Sequence, residues 1–265
     1  MSKLQGGSRP AIFITGAASG IGFACAELFA LHGWYVGLYD INKDEVDKAA
    51  SSIRSENLIT GWLDVTSPIS WDSALAEFWE KSHQRLDILL NNAGILFAGD
   101  FRTVDLSNHH SMLTVNIHGV VNGCHAAFDY LKLTPHSQVI NMSSATAIYG
   151  QPELVTYSAS KFAVRGLTEG LDIEWRKHGI RVKDIWPSFV KTQMFNKFKN
   201  IQSTKSLGVH LTANDVAKVV WKCATSNSFL SKTHWEVGFQ TKLLHLATSI
   251  SPNVLTKWVV QKITS

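Results

Sequence analysis

Ala11-Ile12-Phe13-Ile14-Thr15-Gly16-Ala17-Ala18-Ser19-Gly20-Ile21-Gly22 joins a short apolar run to a turn punctuated by glycine. The run up to Thr15 suits a strand, and a helix-like stretch follows over residues 21–32. Glycine at such a junction permits a tight turn, lets backbone N–H groups approach a pyrophosphate, and allows the helix to pack closely on the strand. The spacing is GxxxGxG, so the more widespread GxGxxG is matched in role and not letter for letter.

Working outward, further short apolar runs lie at residues 35–39, 58–63, 87–90, 138–142 and 181–185. Helix-like stretches separate them at 43–55, 70–82, 107–131 and 157–177. Strands alternating with helical patterns predict βαβ crossovers, hence a doubly wound α/β fold with a parallel sheet and helices on both faces. No linker, repeat or low-complexity tract divides the chain, so one domain over residues 1–265 is expected. Past Pro187 the period loosens, and residues 189–210 read as a substrate loop carrying Phe189, Met194, Phe195 and Phe198. A helix resumes at 212–225, with Thr212 as N-cap and Asp215 at its third position. Residues 241–265 read as an amphipathic tail. Leu243, Leu244, Leu246 and Ala247 cluster early in it, and Asn253 caps a helix that gathers Leu255, Trp258, Val259 and Ile263 on one face.

Composition narrows the function. With 45% hydrophobic and 17% charged residues the chain is globular, and a net charge of +4 without any basic run does not call for nucleic acid. No uncharged apolar run approaches the ~20 residues of a membrane-spanning helix. The N-terminus lacks the apolar stretch of a signal peptide, and Cys25, Cys124 and Cys223 are scattered, as buried fillers in a reducing compartment are. A cytoplasmic location is expected. The histidines include no HExxH, so no metal site is expected, and His109-His110 reads as solvated or capping. GxSxG is absent, which leaves no hydrolase elbow. Trp62, Trp71, Trp79, Trp175 and Trp186 are expected in the core or against a partner subunit.

The chemistry rests on Tyr157-Ser158-Ala159-Ser160-Lys161. Residues four apart share one helix face, so Lys161 can project its ammonium beside Tyr157. A free tyrosine has a pKa of about 10, and bringing it to about 7 takes roughly 4 kcal/mol. One cation about 4 Å away at an effective dielectric of about 20 supplies an interaction of that order. Asp40, at the end of the second strand, can accept hydrogen bonds from ribose hydroxyls and would repel a 2′-phosphate. No arginine or lysine stands at 17–19 or 41–42 to welcome that phosphate, so NAD is expected over NADP.

These motifs, with Asp64-Val65, Asn91-Asn92-Ala93-Gly94, Asn116, Ser143-Ser144 and the segment from Pro187 to Thr192, resemble the short-chain dehydrogenase/reductase family. The resemblance covers residues 10–225 and implies a Rossmann-type oxidoreductase acting on an alcohol or ketone. It implies Tyr157 as general acid/base, Ser144 as partner of the substrate oxygen, Lys161 on the nicotinamide ribose, and Asn116 holding a water in the proton relay. Gly16, Ser19, Gly20, Ile21, Gly22 and Asp40 would bind the dinucleotide. Asp64 would reach the adenine amino group, Val65 would line its pocket, and Asn92, Ala93 and Gly94 would support the sheet beside the cofactor. Pro187, Val190 and Thr192 would border the nicotinamide, with Thr192 on its carboxamide. Ser188 departs from the family, which usually has glycine there. Helices 107–131 and 157–177 are the family's usual subunit contact, so a homodimer or homotetramer is implied. The apolar loop and tail favour a lipophilic secondary alcohol. A cofactor-binding scaffold without turnover, or a peripheral reductase of lipid-like carbonyls at a membrane surface, are the rival expectations.

Overall fold

The structure, a computed structural model, describes residues 9–192, 210–226, 232–250 and 257. Strands β1 (Ala11–Thr15), β2 (Tyr35–Asp40), β3 (Leu58–Trp62), β4 (Ile88–Asn91), β5 (Gln138–Met142) and β6 (Arg181–Pro187) form where the apolar runs stand. The chain adds β7 (Val190–Lys191), β8 (Leu211–Thr212) and β9 (His234–Val237). Helices are α1 (Gly20–Leu31), α2 (Lys43–Ser51), α3 (Pro68–Lys81), α4 (Leu106–Leu113), α5 (Gly119–Leu133), α6 (Val155–Trp175), α7 (Ala213–Thr225) and α8 (Phe239–Ile250).

The main sheet has the order β3-β2-β1-β4-β5-β6-β9, and every pairing in it is parallel. Chain direction across the sheet reverses at β1, which therefore has β2 on one side and β4 on the other. Alternate residues of β1 feed opposite layers. Ile12 and Ile14 pack with Phe29 of α1 and Val216 and Val220 of α7, whereas Ala11 and Phe13 pack with Trp71 and Phe78 of α3 and Val120 of α5. Both faces of the sheet are thus covered, which is why its strands read as unbroken apolar runs.

Three local outcomes differ from the expectations. The helix expected over 107–131 is interrupted by a π turn at Thr114–His118, and the extra residue turns Asn116 into the interior. Strand β9 was not anticipated: His234-Trp235-Glu236-Val237 closes the sheet at an edge where only Trp235 and Val237 are buried, so polar residues interrupt the apolar run. His109 is buried, its imidazole held between the Thr156 hydroxyl (2.6 Å) and the Phe101 carbonyl oxygen (3.0 Å), so it braces α4 against α6. Trp71, Trp175 and Trp186 are buried as expected, Trp79 is half-buried, and Trp62 at the end of the other edge strand is exposed. The expected capping box of α7 forms between Thr212 and Asp215. Met194, Phe195 and Phe198 of the expected loop, and Leu255, Trp258, Val259 and Ile263 of the expected tail, lie outside the described residues.

Candidate active site

Strands β1 to β6 all point their carboxyl ends at one cleft of about 710 Å³. Open parallel sheets place their ligand crevice at the carboxyl ends of the strands, where the strand order reverses. Gly16 follows β1, Asp40 closes β2, Asp64 and Val65 follow β3, and Asn92, Ala93 and Gly94 follow β4; all line the cleft. Ser144 follows β5, Pro187 closes β6, and Val190 belongs to β7; these line it too. So do Ser19, Gly20 and Ile21 at the start of α1, Tyr157 and Lys161 on α6, and Thr192.

Two expected residues do not reach it. Gly22 lies beneath the loop, where an added Cβ would stand 2.3 Å from the Gly16 carbonyl oxygen and 2.6 Å from Asn92 Nδ2. Its absent side chain permits the packing that holds the cradle. Asn116 likewise stands behind the cleft: its Oδ1 accepts from the Ile95 N–H (2.8 Å), and its Nδ2 donates to the Ile95 carbonyl (2.9 Å) and to Ser160 Oγ (3.1 Å). The amide fixes the chain leaving β4 to the helix that carries Tyr157.

The dinucleotide end is organised by backbone. Gly16 has φ +64, a left-handed conformation, and its missing Cβ would meet Ala93 Cα at 2.8 Å. Asn92 locks the loop from below, its Nδ2 donating to the carbonyl oxygens of Thr15 (2.9 Å) and Gly16 (3.0 Å). Asp40 is aimed by two backbone N–H donors, from Ala18 (3.1 Å) and Asn42 (3.1 Å). Lys43, the nearest following cation, is bound to Asp47 at 2.5 Å and to Thr60, so it does not neutralise Asp40. A glycine cradle at a helix N-terminus with a fixed carboxylate beside it has the donors and the charge that a pyrophosphate and a ribose diol require.

At the other end stand Ser144, Tyr157 and Lys161. Lys161 is buried and donates to the Met142 carbonyl oxygen at 2.7 Å, with Nζ 5.5 Å from the centre of the Tyr157 ring. Ser144 is buried, in extended backbone at the N-cap of a short turn, and hydrogen-bonds with Tyr157. Ser143 instead bonds the Lys161 carbonyl at 3.2 Å and is structural. Burial raises the Tyr157 hydroxyl to about 12 against a smaller downward pull from Ser144, and burial lowers Lys161 to about 8.

The substrate end also draws on residues that carry no motif: Leu96, Thr146, Gln151 and Leu154, and Thr241, Leu243, Leu244 and Ala247 of α8. Of these, only the leucine and alanine cluster of α8 stood out in the sequence. Among the described residues no group of three or more His, Cys, Asp and Glu side chains is placed to hold a metal ion, and no helix is long and apolar enough to cross a membrane.

A family model described as short chain dehydrogenase matches residues 10–202. The chain is 35% identical over 197 residues to the Salmonella typhimurium oxidoreductase UcpA, covering 73% of each. It is 35% identical over 181 residues to the 3-alpha-(or 20-beta)-hydroxysteroid dehydrogenase of Mycobacterium tuberculosis, covering 68% of this chain and 69% of that one. Among solved structures, ElxO with NADP bound superposes with a TM-score of 0.78 at 26% identity, over 86% of this chain and 97% of that one.

Proposed function

The chain belongs to the short-chain dehydrogenases, oxidoreductases of CH–OH donors that use a nicotinamide cofactor, and on that premise we propose that it is an NAD-dependent dehydrogenase of lipophilic secondary alcohols. The observation that supports the reaction is the meeting of Ser144, Tyr157 and Lys161 in the same cleft as the glycine cradle and Asp40. The bound nicotinamide supplies the hydride acceptor and, when oxidised, a positive charge. Tyr157 as phenolate takes the hydroxyl proton, the hydride leaves carbon with both electrons of its bond, and the carbinol becomes a ketone. Ser144 shares the oxygen as charge develops on it. Lys161 serves the nicotinamide ribose, and Asn116 keeps α6 in register with the strand ends.

The cofactor preference rests on Asp40 and on the commitment of Lys43 to Asp47. A 2′-phosphate would face a carboxylate with no free cation within the following residues. The substrate class rests on the far wall, where Leu96, Leu154, Phe189, Leu243, Leu244 and Ala247 present apolar surface. The hydroxysteroid relative accords with such a substrate. Exposed Val121 on α5 and Phe162 and Ile173 on α6 would be covered in a homodimer or homotetramer, and a cytoplasmic setting accords with three buried, unbridged cysteines. The test is incubation with NAD and a panel of steroids, long-chain secondary alcohols, small alcohols and sugar alcohols while NADH absorbance is followed. Cofactor binding without turnover of any of them would favour a scaffold, and turnover confined to sugar alcohols would remove the lipophilic class.

A further inference from the structure

Val121, Phe162 and Ile173 would be covered in a subunit contact, but the exposed apolar side chains of α8 lie on neither of those helices. Phe239, Leu243 and Leu246 are 77%, 54% and 63% exposed. They stand at intervals of four and three residues, so they share one face of α8. Thr241 is buried and Leu244, His245 and Thr248 are half-buried, and these turn towards the protein. His245 pins that side, with Nδ1 2.8 Å from Glu236 Oε1 and its ring centre 4.9 Å from that of Trp186. A helix docked along one side, with three large apolar side chains in solvent on the other, marks an interaction surface.

The strip is continuous with the cleft. Leu243 belongs to both: it lines the cleft with Gln240, Leu244 and Ala247, and more than half of it remains in solvent. The apolar strip therefore begins at the rim of the cleft's apolar wall. Its charge has one sign. Lys242, beside the strip, is exposed, and from Val237 to Ser265 the chain carries Lys242, Lys257 and Lys262 without a single Asp or Glu. Most of the chain's net charge of +4 thus lies in this last stretch. A second copy meeting the strip about a two-fold axis would bring two lysine-bearing faces together, with no carboxylate in α8 to answer them. An anionic lipid surface answers both properties, taking the apolar side chains at its acyl boundary and the lysine at its headgroups.

We propose that α8 is a peripheral docking surface for an anionic lipid bilayer, with Phe239, Leu243 and Leu246 inserted at the headgroup boundary and Lys242 against the headgroups. Docked in this way, the rim of the cleft lies at the lipid surface, where a lipophilic alcohol is concentrated. The docking is independent of the dehydrogenase reading, and only the route of the substrate rests on that reading. Binding of this kind grows with the apolar area inserted and with the attraction of basic side chains to anionic lipid, so the two contributions separate by mutation.

The test sediments the full-length protein, without cofactor or substrate, with vesicles of phosphatidylcholine alone or mixed with phosphatidylglycerol. Wild-type protein is expected in the pellet with the mixed vesicles and largely in the supernatant with phosphatidylcholine. Phe239→Ser combined with Leu246→Ser should lower the partition coefficient by about tenfold or more, since two large apolar side chains leave the lipid. Lys242→Glu should lower it severalfold on the mixed vesicles. All three positions are exposed and none lines the cleft, so thermal unfolding should stay near wild type in both variants. Wild-type protein that stays in the supernatant with both vesicles, or variants that pellet as well as wild type, would overturn the proposal and leave the dehydrogenase reading intact. Self-association that the double variant abolishes, without vesicle binding, would give the strip to a second copy and overturn it likewise. Vesicle binding without oxidation of any lipophilic alcohol would keep the docking surface and remove the reading.

Discussion

At the dinucleotide end of the cleft the working groups are backbone, placed by Gly16 in a left-handed turn and by Gly22 where no side chain fits, with the Asp40 carboxylate oriented by N–H donors. At the substrate end the working groups are side chains, and they come from five separate stretches: the loop after β4, the turn after β5, the start of α6, the segment after β6, and α8. The first construction tolerates little change of residue type, since the backbone path itself is the binding surface. The second keeps one proton-transfer group and leaves the rest of the wall free to vary. The contrast can be tested from both sides.

The largest effect belongs to Tyr157. Tyr157→Phe removes only the hydroxyl, and turnover is expected to fall by about 10²–10⁴ while NADH affinity stays near wild type. Retention of more than a tenth of the wild-type rate would show that the proton goes elsewhere.

Lys161→Met tests whether the two ends communicate through a shared residue. Rate and NADH affinity should both fall, because one ammonium serves ribose and phenol. The pH profile carries the sign. Oxidation needs the phenolate, and Tyr157 in the protein lies above its ordinary value, so kcat/KM should climb by about tenfold per pH unit below the operative pKa. Loss of the cation moves that rising limb to higher pH, and a limb that stays in place would separate Lys161 from Tyr157. Stability has its own signature. Lys161 is lowered to about 8 by burial, so between that value and its unfolded value near 10.5 the unfolded chain binds the extra proton. Its contribution therefore strengthens as pH rises through that window, and the difference between wild type and Lys161→Met in denaturant unfolding should widen in favour of wild type from pH 8 to pH 10.

Asp40→Ala combined with Ile41→Arg should move the ratio of catalytic efficiencies towards NADP by about tenfold or more, since roughly 1.4 kcal/mol is tenfold. A wild-type preference for NADP would refute the role of Asp40 directly. The smallest effect lies on the far wall. Across a homologous series of secondary alcohols, efficiency should rise with chain length by up to about 0.8 kcal/mol per buried methylene, and Leu244→Ser should flatten that rise. A flat wild-type profile would show that α8 does not contact substrate.

The ranking of these effects follows how each group could be recognised before the structure was known. Local geometry is repeated in the chain as spacing: a strand buried on both sides is an unbroken apolar run, and a helix face is a four-residue interval. The positions of β1 and β5, the glycine turn, the Thr212–Asp215 cap and the pairing of Tyr157 with Lys161 were legible for that reason. For Gly22 the structure shows the close packing that glycine at this junction allows, while the bonds of Asn116 to Ile95 leave no mark in the chain, because a residue that shapes a site from behind has the same letter as one that touches the ligand.

The sequence by itself determined the first six strands of the sheet, the glycine turn after β1 and the placing of Tyr157 and Lys161 one helical turn apart, since each depends on residues close together in the chain and on periods that the backbone imposes. Only the tertiary structure decided that Asn116 is buried in a π turn behind the cleft, that burial raises the Tyr157 hydroxyl, and that α8 brings Leu243 and Leu244 to the same cleft as Ser144 and Tyr157. Those outcomes depend on desolvation and on contacts between segments nearly a hundred residues apart, and neither leaves a periodic mark along the chain.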